Sequence, residues 1–281
     1  MSNTSDIAVE RDVVYAGGER PLLWNIFRSA AATDKAPVVL LFHGGGWRVG
    51  HRMAMSDACT AYARRGYVAI APEYRLLGEA PWPAPLSDAR TAIRAVRAQA
   101  KALRISPDQI FLTGYSAGAH LALISASGAH GPAAAAEPHA DQSEQVAGVA
   151  AFFPPARIEA EGAGAMLGIT DPAALAAISP MTHAGRYPPT ILFCGDDDTM
   201  TPARLSLDLY QAIRDAGGVA DLRLYSNLIH EFVSLPGMMD TTIGDAVAFF
   251  QRTAVGKPAF DTALGELRKW WETVLARPAQ Q

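Results

Sequence analysis

Eight short apolar runs, separated by longer stretches of helical spacing, constrain this chain more than any other feature. VVYA and PLLWNIF come first, joined by the turn signal AGGERP, and predict an opening pair of antiparallel strands. PVVLLF (Pro37 to Phe42), YVAIAP (Tyr67 to Pro72), QIFLTG (Gln109 to Gly114), VAGVAAFF (Val146 to Phe153), TILFCG (Thr190 to Gly195) and DLRLYS (Asp221 to Ser226) follow. Most are apolar almost throughout, as parallel strands buried on both faces must be. Between them the spacing predicts helices over Met53 to Arg65, Leu86 to Leu103, Ser116 to Ser127, Ala203 to Ala216 and Thr241 to Arg252. The alternation implies an α/β chain with a mostly parallel, doubly wound, eight-stranded sheet and helices on both faces. The 281 residues, 49% of them hydrophobic, suit one domain over 1–281 built around such a sheet.

Three segments fall outside the alternation. Ser127 to Gln145 is small and polar, and reads as an exposed loop insertion. Residues 156–187 mix Gly, Ala and Pro around one short helix, expected from Asp171 to Ala177. An insertion between two late strands lies at the carboxyl end of the sheet, where a small lid or pocket wall would sit. The tail, residues 258–277, is an amphipathic helix. From Phe260 to Ala276 it carries Phe260, Leu264, Leu267, Trp271 and Val274 at intervals of four, three, four and three. Docking of that stripe onto its own domain is the ordinary expectation, and a homodimer contact is the sharper one.

A net charge of −4 argues against a nucleic-acid partner, which leaves a basic footprint. Two cysteines, Cys59 and Cys194, cannot build a disulfide framework and fit a reducing compartment. The N-terminal MSNTSDIAVERDVVY shows no basic stretch followed by an apolar run, and no segment reaches the roughly 20 apolar residues of a membrane span. A soluble, cytoplasmic protein with no membrane partner is expected. No close ligand cluster such as H-E-x-x-H appears, so no metal and no cofactor is expected.

Gly114-Tyr115-Ser116-Ala117-Gly118 matches G-x-S-x-G between a strand and a helix. There the serine occupies a sharp turn that lifts its Oγ above the sheet edge. Side chains two residues to either side would collide with the turning chain. The helix that follows puts the positive end of its dipole beneath the nucleophile. Ser116 is therefore the candidate nucleophile, and Tyr115 beside it is a candidate for the pocket wall.

His43-Gly44-Gly45-Gly46-Trp47 leaves the carboxyl end of PVVLLF directly. Successive glycines let backbone N–H groups face a pocket unobstructed. Those of Gly44 and Gly45, with that of Ala117, could hold a tetrahedral oxyanion, each donor worth about 3 to 4 kcal/mol of transition-state stabilisation. A phosphate loop is disfavoured, because the Walker lysine and the G-x-G-x-x-G spacing are both missing. His43 reads as a structural histidine bonded to its own loop. Trp47 is expected in the pocket wall or packed beneath it, and Phe153, at a strand end, in the same wall.

A serine hydroxyl needs a base. Asp196-Asp197-Asp198 follows TILFCG, and His230 follows DLRLYS, so acid and base succeed the serine in the order expected for a strand-turn-helix nucleophile. His230 is the candidate base. His120 lies four residues along the helix from Ser116 and should point into the core. His51, His130, His139 and His183 do not directly follow a core strand. Asp198 is the preferred acid, because Gly195 gives the turn room before it, with Asp196 as the alternative.

HGGGW, EYRL (Glu73 to Leu76), PAPLSDARTAIRAVRAQA (Pro83 to Ala100), GYSAGAHLAL, GDDD and IHEF together resemble α/β-hydrolase esterases. The similarity is to hormone-sensitive-lipase-like carboxylesterases and to bacterial feruloyl and acetyl-xylan esterase-like hydrolases, and runs roughly from Pro37 to Arg252. It implies the α/β-hydrolase fold, Ser116, Asp198 and His230 as a triad, and Gly44, Gly45 and Ala117 as oxyanion donors. It also implies a structural pair between Arg75 and Asp88. Two departures stand out: no large N-terminal cap precedes the HGGG strand, and IHEF puts Glu231 beside the base where H-G-F is more usual. The resemblance implies a serine carboxylesterase acting on small carboxylic esters through an acyl-enzyme. Kynurenine formamidase-like arylformamidases share an HGG-x-W loop and are the alternative. A non-catalytic small-molecule-binding homologue is the third reading, disfavoured because all three triad positions are filled.

Overall fold

The computed structural model describes residues 6–131 and 133–275. All eight expected strands are present: β1 (Ile7–Ala16), β2 (Leu22–Ser29), β3 (Ala36–Phe42), β4 (Val68–Pro72), β5 (Ile105–Tyr115), β6 (Gly148–Phe152), β7 (Thr190–Gly195) and β8 (Ala220–Tyr225). They form one sheet in the order β1-β2-β4-β3-β5-β6-β7-β8. β2 is antiparallel to both its neighbours, and every pairing from β4 to β8 is parallel. This is the α/β-hydrolase fold.

The helices are α1 (Ser56–Arg64), α2 (Ala84–Ala98), α3 (Ala117–Ser127), α4 (Ala165–Leu167), α5 (Pro172–Ala177), α6 (Ala203–Asp215), α7 (Met238–Phe250) and α8 (Lys257–Leu275). Residue alternation along the strands divides the core in two. Val38, Leu40 and Phe42 of β3 face the layer of α2, α3 and α6. Val39 and Leu41 face the layer of α1 and α7. The central strands are buried on both faces, which is why their sequences lack a polar alternation.

Register decides what meets at the carboxyl edge. Phe42 pairs with Gly114, Tyr115 with Phe152, and Gly195 with Tyr225. The loops that follow β3, β5, β6, β7 and β8 therefore leave the sheet side by side.

The Ser127 to Gln145 loop is fastened from below. Arg94, wholly buried on α2, donates to Glu137 at 2.8 Å and also to Glu144, while Arg90 reaches Glu144 at 2.9 Å. Residues 156–187 lie over α3 and α6, with Leu167, Leu175 and Ile178 buried in the α2/α3/α6 layer. The expected short helix is α5, capped by Asp171, whose carboxylate accepts from the Ala174 N–H at 2.8 Å. Arg75 and Asp88 form a bidentate pair at 2.8 and 2.7 Å.

The tail departs from the ordinary expectation. α8 is helical over Lys257–Leu275, but none of its residues is buried, so its apolar stripe does not dock onto the body of its own chain. The periodicity states that the stripe wants cover and says nothing of what supplies it. Residues 276 and 277 of the expected helix lie outside the described residues.

Candidate active site

β5 ends in a strained turn. Ser116 has φ 52° and ψ −116°, its N–H donates to the Phe152 carbonyl at 2.9 Å, and α3 begins at the next residue. The two glycines are steric necessities: a Cβ on Gly114 would stand 2.2 Å from the Gly118 carbonyl oxygen, and one on Gly118 2.1 Å from that of Phe42. Strand, turn, helix and the neighbouring β3 are thus packed backbone to backbone around the serine.

The acid–base pair is formed. His230 Nδ1 donates to Asp198 Oδ2 at 2.7 Å. Asp198 is buried, and its Oδ1 accepts from the backbone N–H groups of Met200 at 2.8 Å and Thr201 at 2.9 Å. The Thr201 hydroxyl stands 2.9 Å from Oδ2 and 3.0 Å from the Phe153 carbonyl oxygen. Burial by itself would raise the Asp198 carboxyl, but the hydrogen bonds from His230 and Thr201 outweigh it and hold it below the ordinary aspartate value. Asp196, the alternative acid, is exposed and accepts from the Asn227 N–H at 2.5 Å, fastening the β7 loop to the β8 loop. Asp197 is exposed too. The Phe153 ring lies 4.5 Å from the imidazole and backs it. With Nδ1 committed to Asp198, Nε2 is left for the cavity that Ser116 and His230 both line, although no direct hydrogen bond joins the two residues.

The glycine loop folds against this turn. A Cβ on Gly44 would stand 3.5 Å from that of Ser116, so its backbone passes directly beside the nucleophile. Gly45 has φ 111°, and its carbonyl accepts from Arg48 at 3.1 Å and Val49 at 3.0 Å, closing a turn that no L-residue would adopt freely. Ala117 opens α3 on the other side of Ser116. His43 is buried, stacks on Tyr74 at 4.3 Å, and bonds the Gly44 carbonyl through Nδ1 at 2.7 Å. Burial lowers its pKa to about 4, so it is a neutral brace of the loop.

Two cavities meet at the site. The larger, about 770 Å³, is lined by Gly46, Arg48, Val49, Ser116, Met200 and His230, with Met166 of α4 reaching in from the 156–187 segment. The smaller, about 270 Å³, is lined by Gly44, Met55, Tyr115, Phe153, Val233 and Met239, among others. Gly45 and Glu231 border both. Tyr115 and Phe153 thus wall the smaller cavity. Trp47 walls neither. With φ 59° it is buried edge-on against His120 at 5.1 Å, packed beneath the wall, the second of its two expected places, while Arg48 and Val49 stand in the wall itself. Met166, Met200, Ile229 and Val49 carried no sequence signal; Met166 lies on a three-residue helix and the others on irregular loops, where no periodicity reports which way a side chain faces.

His120 lies wholly inside the core, donating from Nε2 to the Ile178 carbonyl at 2.8 Å, with its pKa lowered to about 4 by burial. Among the described residues no group of three or more His, Cys, Asp and Glu side chains is placed to hold a metal ion, and no helix is long and apolar enough to cross a membrane.

Residues 24–213 match the BD-FAE family model, more than half of the chain and all of the strand-turn-helix around Ser116. The chain belongs to the BD-FAE family. It is 27% identical over 265 residues to esterase LipQ of Mycobacterium tuberculosis, covering 88% of this chain and 62% of that protein. It is 29% identical over 122 residues to carboxylesterase NlhH of the same organism, covering 43% of this chain and 38% of that protein. The chain thus spans less than two thirds of the length of these curated relatives. Among solved structures it resembles the thermophilic esterase Est2 of Thermogutta terrifontis, with TM-score 0.76 and 26% identity over 89% of this chain and 93% of that one. The same esterase phosphoramylated by tabun matches at TM-score 0.76 and 27% identity, over 90% and 97% of the two chains.

Proposed function

We propose that this BD-FAE chain is a serine carboxylesterase for small carboxylic esters, and the hydrogen bond from His230 to Asp198 beside Ser116 is the observation that carries the reading. Asp198 fixes the imidazole with its proton on Nδ1 and stabilises the imidazolium that forms. His230 Nε2 takes the Ser116 proton, in a contact that tightens once substrate is bound. Ser116 Oγ attacks the ester carbonyl carbon, and the N–H groups of Gly44, Gly45 and Ala117 hold the oxyanion. The C–O bond to the alcohol breaks, and His230 returns its proton to the leaving oxygen. A water, deprotonated by His230, then attacks the acyl-enzyme and releases the acid and Ser116. The relatives named as esterases support the same reaction class.

The leaving alcohol must lie on the His230 side to receive its proton. That assigns the alcohol to the open 770 Å³ cavity and the acyl group to the 270 Å³ cavity behind Gly44 and Tyr115. The smaller cavity, of about 270 Å³ and with Met55, Val233 and Met239 in its lining, suits short acyl chains. The free, buried thiols of Cys59 and Cys194 fit a reducing, cytoplasmic setting. Ser116→Ala should lower hydrolysis of p-nitrophenyl acetate by about a millionfold. Turnover retained within tenfold would overturn the assignment. N-formylkynurenine hydrolysed faster than any acetate ester would move the reading to the arylformamidase alternative.

A further inference from the structure

α8 is a 19-residue helix, roughly 28 Å long, whose apolar side chains face solvent. Phe260 is 42% exposed, Leu267 57%, Trp270 57% and Trp271 53%. In proteins most of the stability of such an amphipathic helix comes from covering its apolar face rather than from helix propensity. With Leu264, Val274 and Leu275, these side chains present roughly 600 Å² of apolar surface per copy, taking about 150–250 Å² for a whole aromatic side chain. That is at the upper limit of the largest patch an ordinary monomer shows.

We infer that α8 is a dimerisation helix that pairs antiparallel with the α8 of a second copy. Two such faces bury roughly 1,200 Å², the lower bound of a stable interface. The spacing fits a helix–helix seam: Phe260, Leu264, Leu267, Trp271 and Val274 fall alternately on the d and a positions of a heptad. Charge and size choose the register. In an antiparallel pair with Leu264 against the second copy's Leu267, Phe260 meets Trp271. The flanking positions then set Asp261 beside Arg268 and small Ala263 beside Trp270, each twice by symmetry. Sliding by one heptad would place Arg268 against itself, and a parallel pair would bring no opposite charges together.

A lipid surface fits less well. Along α8 Lys257, Arg268 and Lys269 are cancelled by Asp261, Glu266 and Glu272, leaving no cationic face to draw the helix to anionic headgroups. The pairing is independent of the reaction at Ser116.

Sedimentation equilibrium on the full chain at micromolar concentration tests the inference. A dimer is expected for the native protein. Leu267→Lys should be monomeric, with a circular-dichroism melt of the body unchanged. Asp261→Arg alone should weaken association at least tenfold, and Asp261→Arg combined with Arg268→Asp should restore it. A monomeric native chain would overturn the inference, as would a dimer that survives Leu267→Lys. Failure of the double variant to recover would overturn the antiparallel register. Native protein that cosediments with phosphatidylcholine vesicles, and loses this with Leu267→Lys, would assign the face to lipid instead.

Discussion

The carboxyl edge of the sheet and the C-terminal helix are opposite solutions to placing apolar sequence. At the edge, five strand ends meet and the backbone is forced into uncommon shapes. Among the described residues nine non-glycine positions have positive φ, and five of them, Trp47, Ser116, Phe153, Asn227 and Glu231, follow β3, β5, β6 and β8. Such conformations cost about 1 to 3 kcal/mol each and persist only where the surroundings over-determine them. α8 is regular and unstrained, and touches almost nothing. Its side chains are as apolar as those of the edge, yet nothing in its own chain covers them. Strain marks the region whose geometry is specified from within, and exposure marks the one that waits for something outside.

Changes at the edge should therefore be costly, and changes on α8 silent in the monomer. After removal of the nucleophile itself, the largest effect is expected from Asp198→Asn, which keeps the shape but spoils the imidazole tautomer. It should lower kcat/KM for p-nitrophenyl acetate by about ten-thousandfold, and a loss under tenfold would remove Asp198 from the triad. Gly118→Ala comes next. Its Cβ would meet the Phe42 carbonyl oxygen at 2.1 Å, a backbone neighbour that cannot swing aside. A loss of at least about a hundredfold in activity is expected, since a shift of about 1 Å at the nucleophile costs that much.

Acid should act on the same region. His43 and His120 have pKa values lowered to about 4 by burial, against an ordinary 6.5, so the unfolded chain binds protons that the folded one refuses. Stability should fall as pH drops from about 6.5 toward 4, and the loss should level off below it. Asp198 works in the same sense lower down: its depressed carboxyl contributes stability above the unfolded aspartate value, lost as pH falls through the folded one. A thermal midpoint flat from pH 7 to pH 4 would contradict this.

Smaller effects sharpen the contrast. Glu231→Gly relieves a residue at φ 58°. It should raise the thermal midpoint by about 2 to 4 °C, the shift expected from roughly 1 kcal/mol in a chain of this size; an unchanged or lowered midpoint would contradict this. Trp271→Glu on α8 should change the melt of the monomer by less than about 0.5 kcal/mol, as an exposed site free of packing does. A large loss there would show that α8 packs on its own chain after all.

The sequence made the sheet legible because buried parallel strands are apolar throughout, and it made Ser116 and His230 legible because each directly follows such a strand. Asp198 could be preferred over Asp196 from the turn alone, but only the 2.7 Å bond to His230 separates them physically. Between the two places open to Trp47, in the wall or beneath it, the sequence does not choose, because it does not report that the side chain is buried against His120. Arg48, Val49 and Met200 carry no signal for the related reason that their exposure is set by loop path, and Met166 because its helix is too short to show a period. The fastening of the Ser127 to Gln145 loop by Arg90 and Arg94 was hidden as well, because charge pairing across about fifty residues leaves no local pattern.

The central claim is that Ser116 is a nucleophile. Mass spectrometry after exposure to an organophosphonate fluoride tests it most directly. One phosphonyl adduct per chain is predicted, located on the peptide that carries Ser116 and absent from Ser116→Ala. An unlabelled chain that still hydrolyses p-nitrophenyl acetate, or an adduct on any other residue that abolishes turnover, would contradict it.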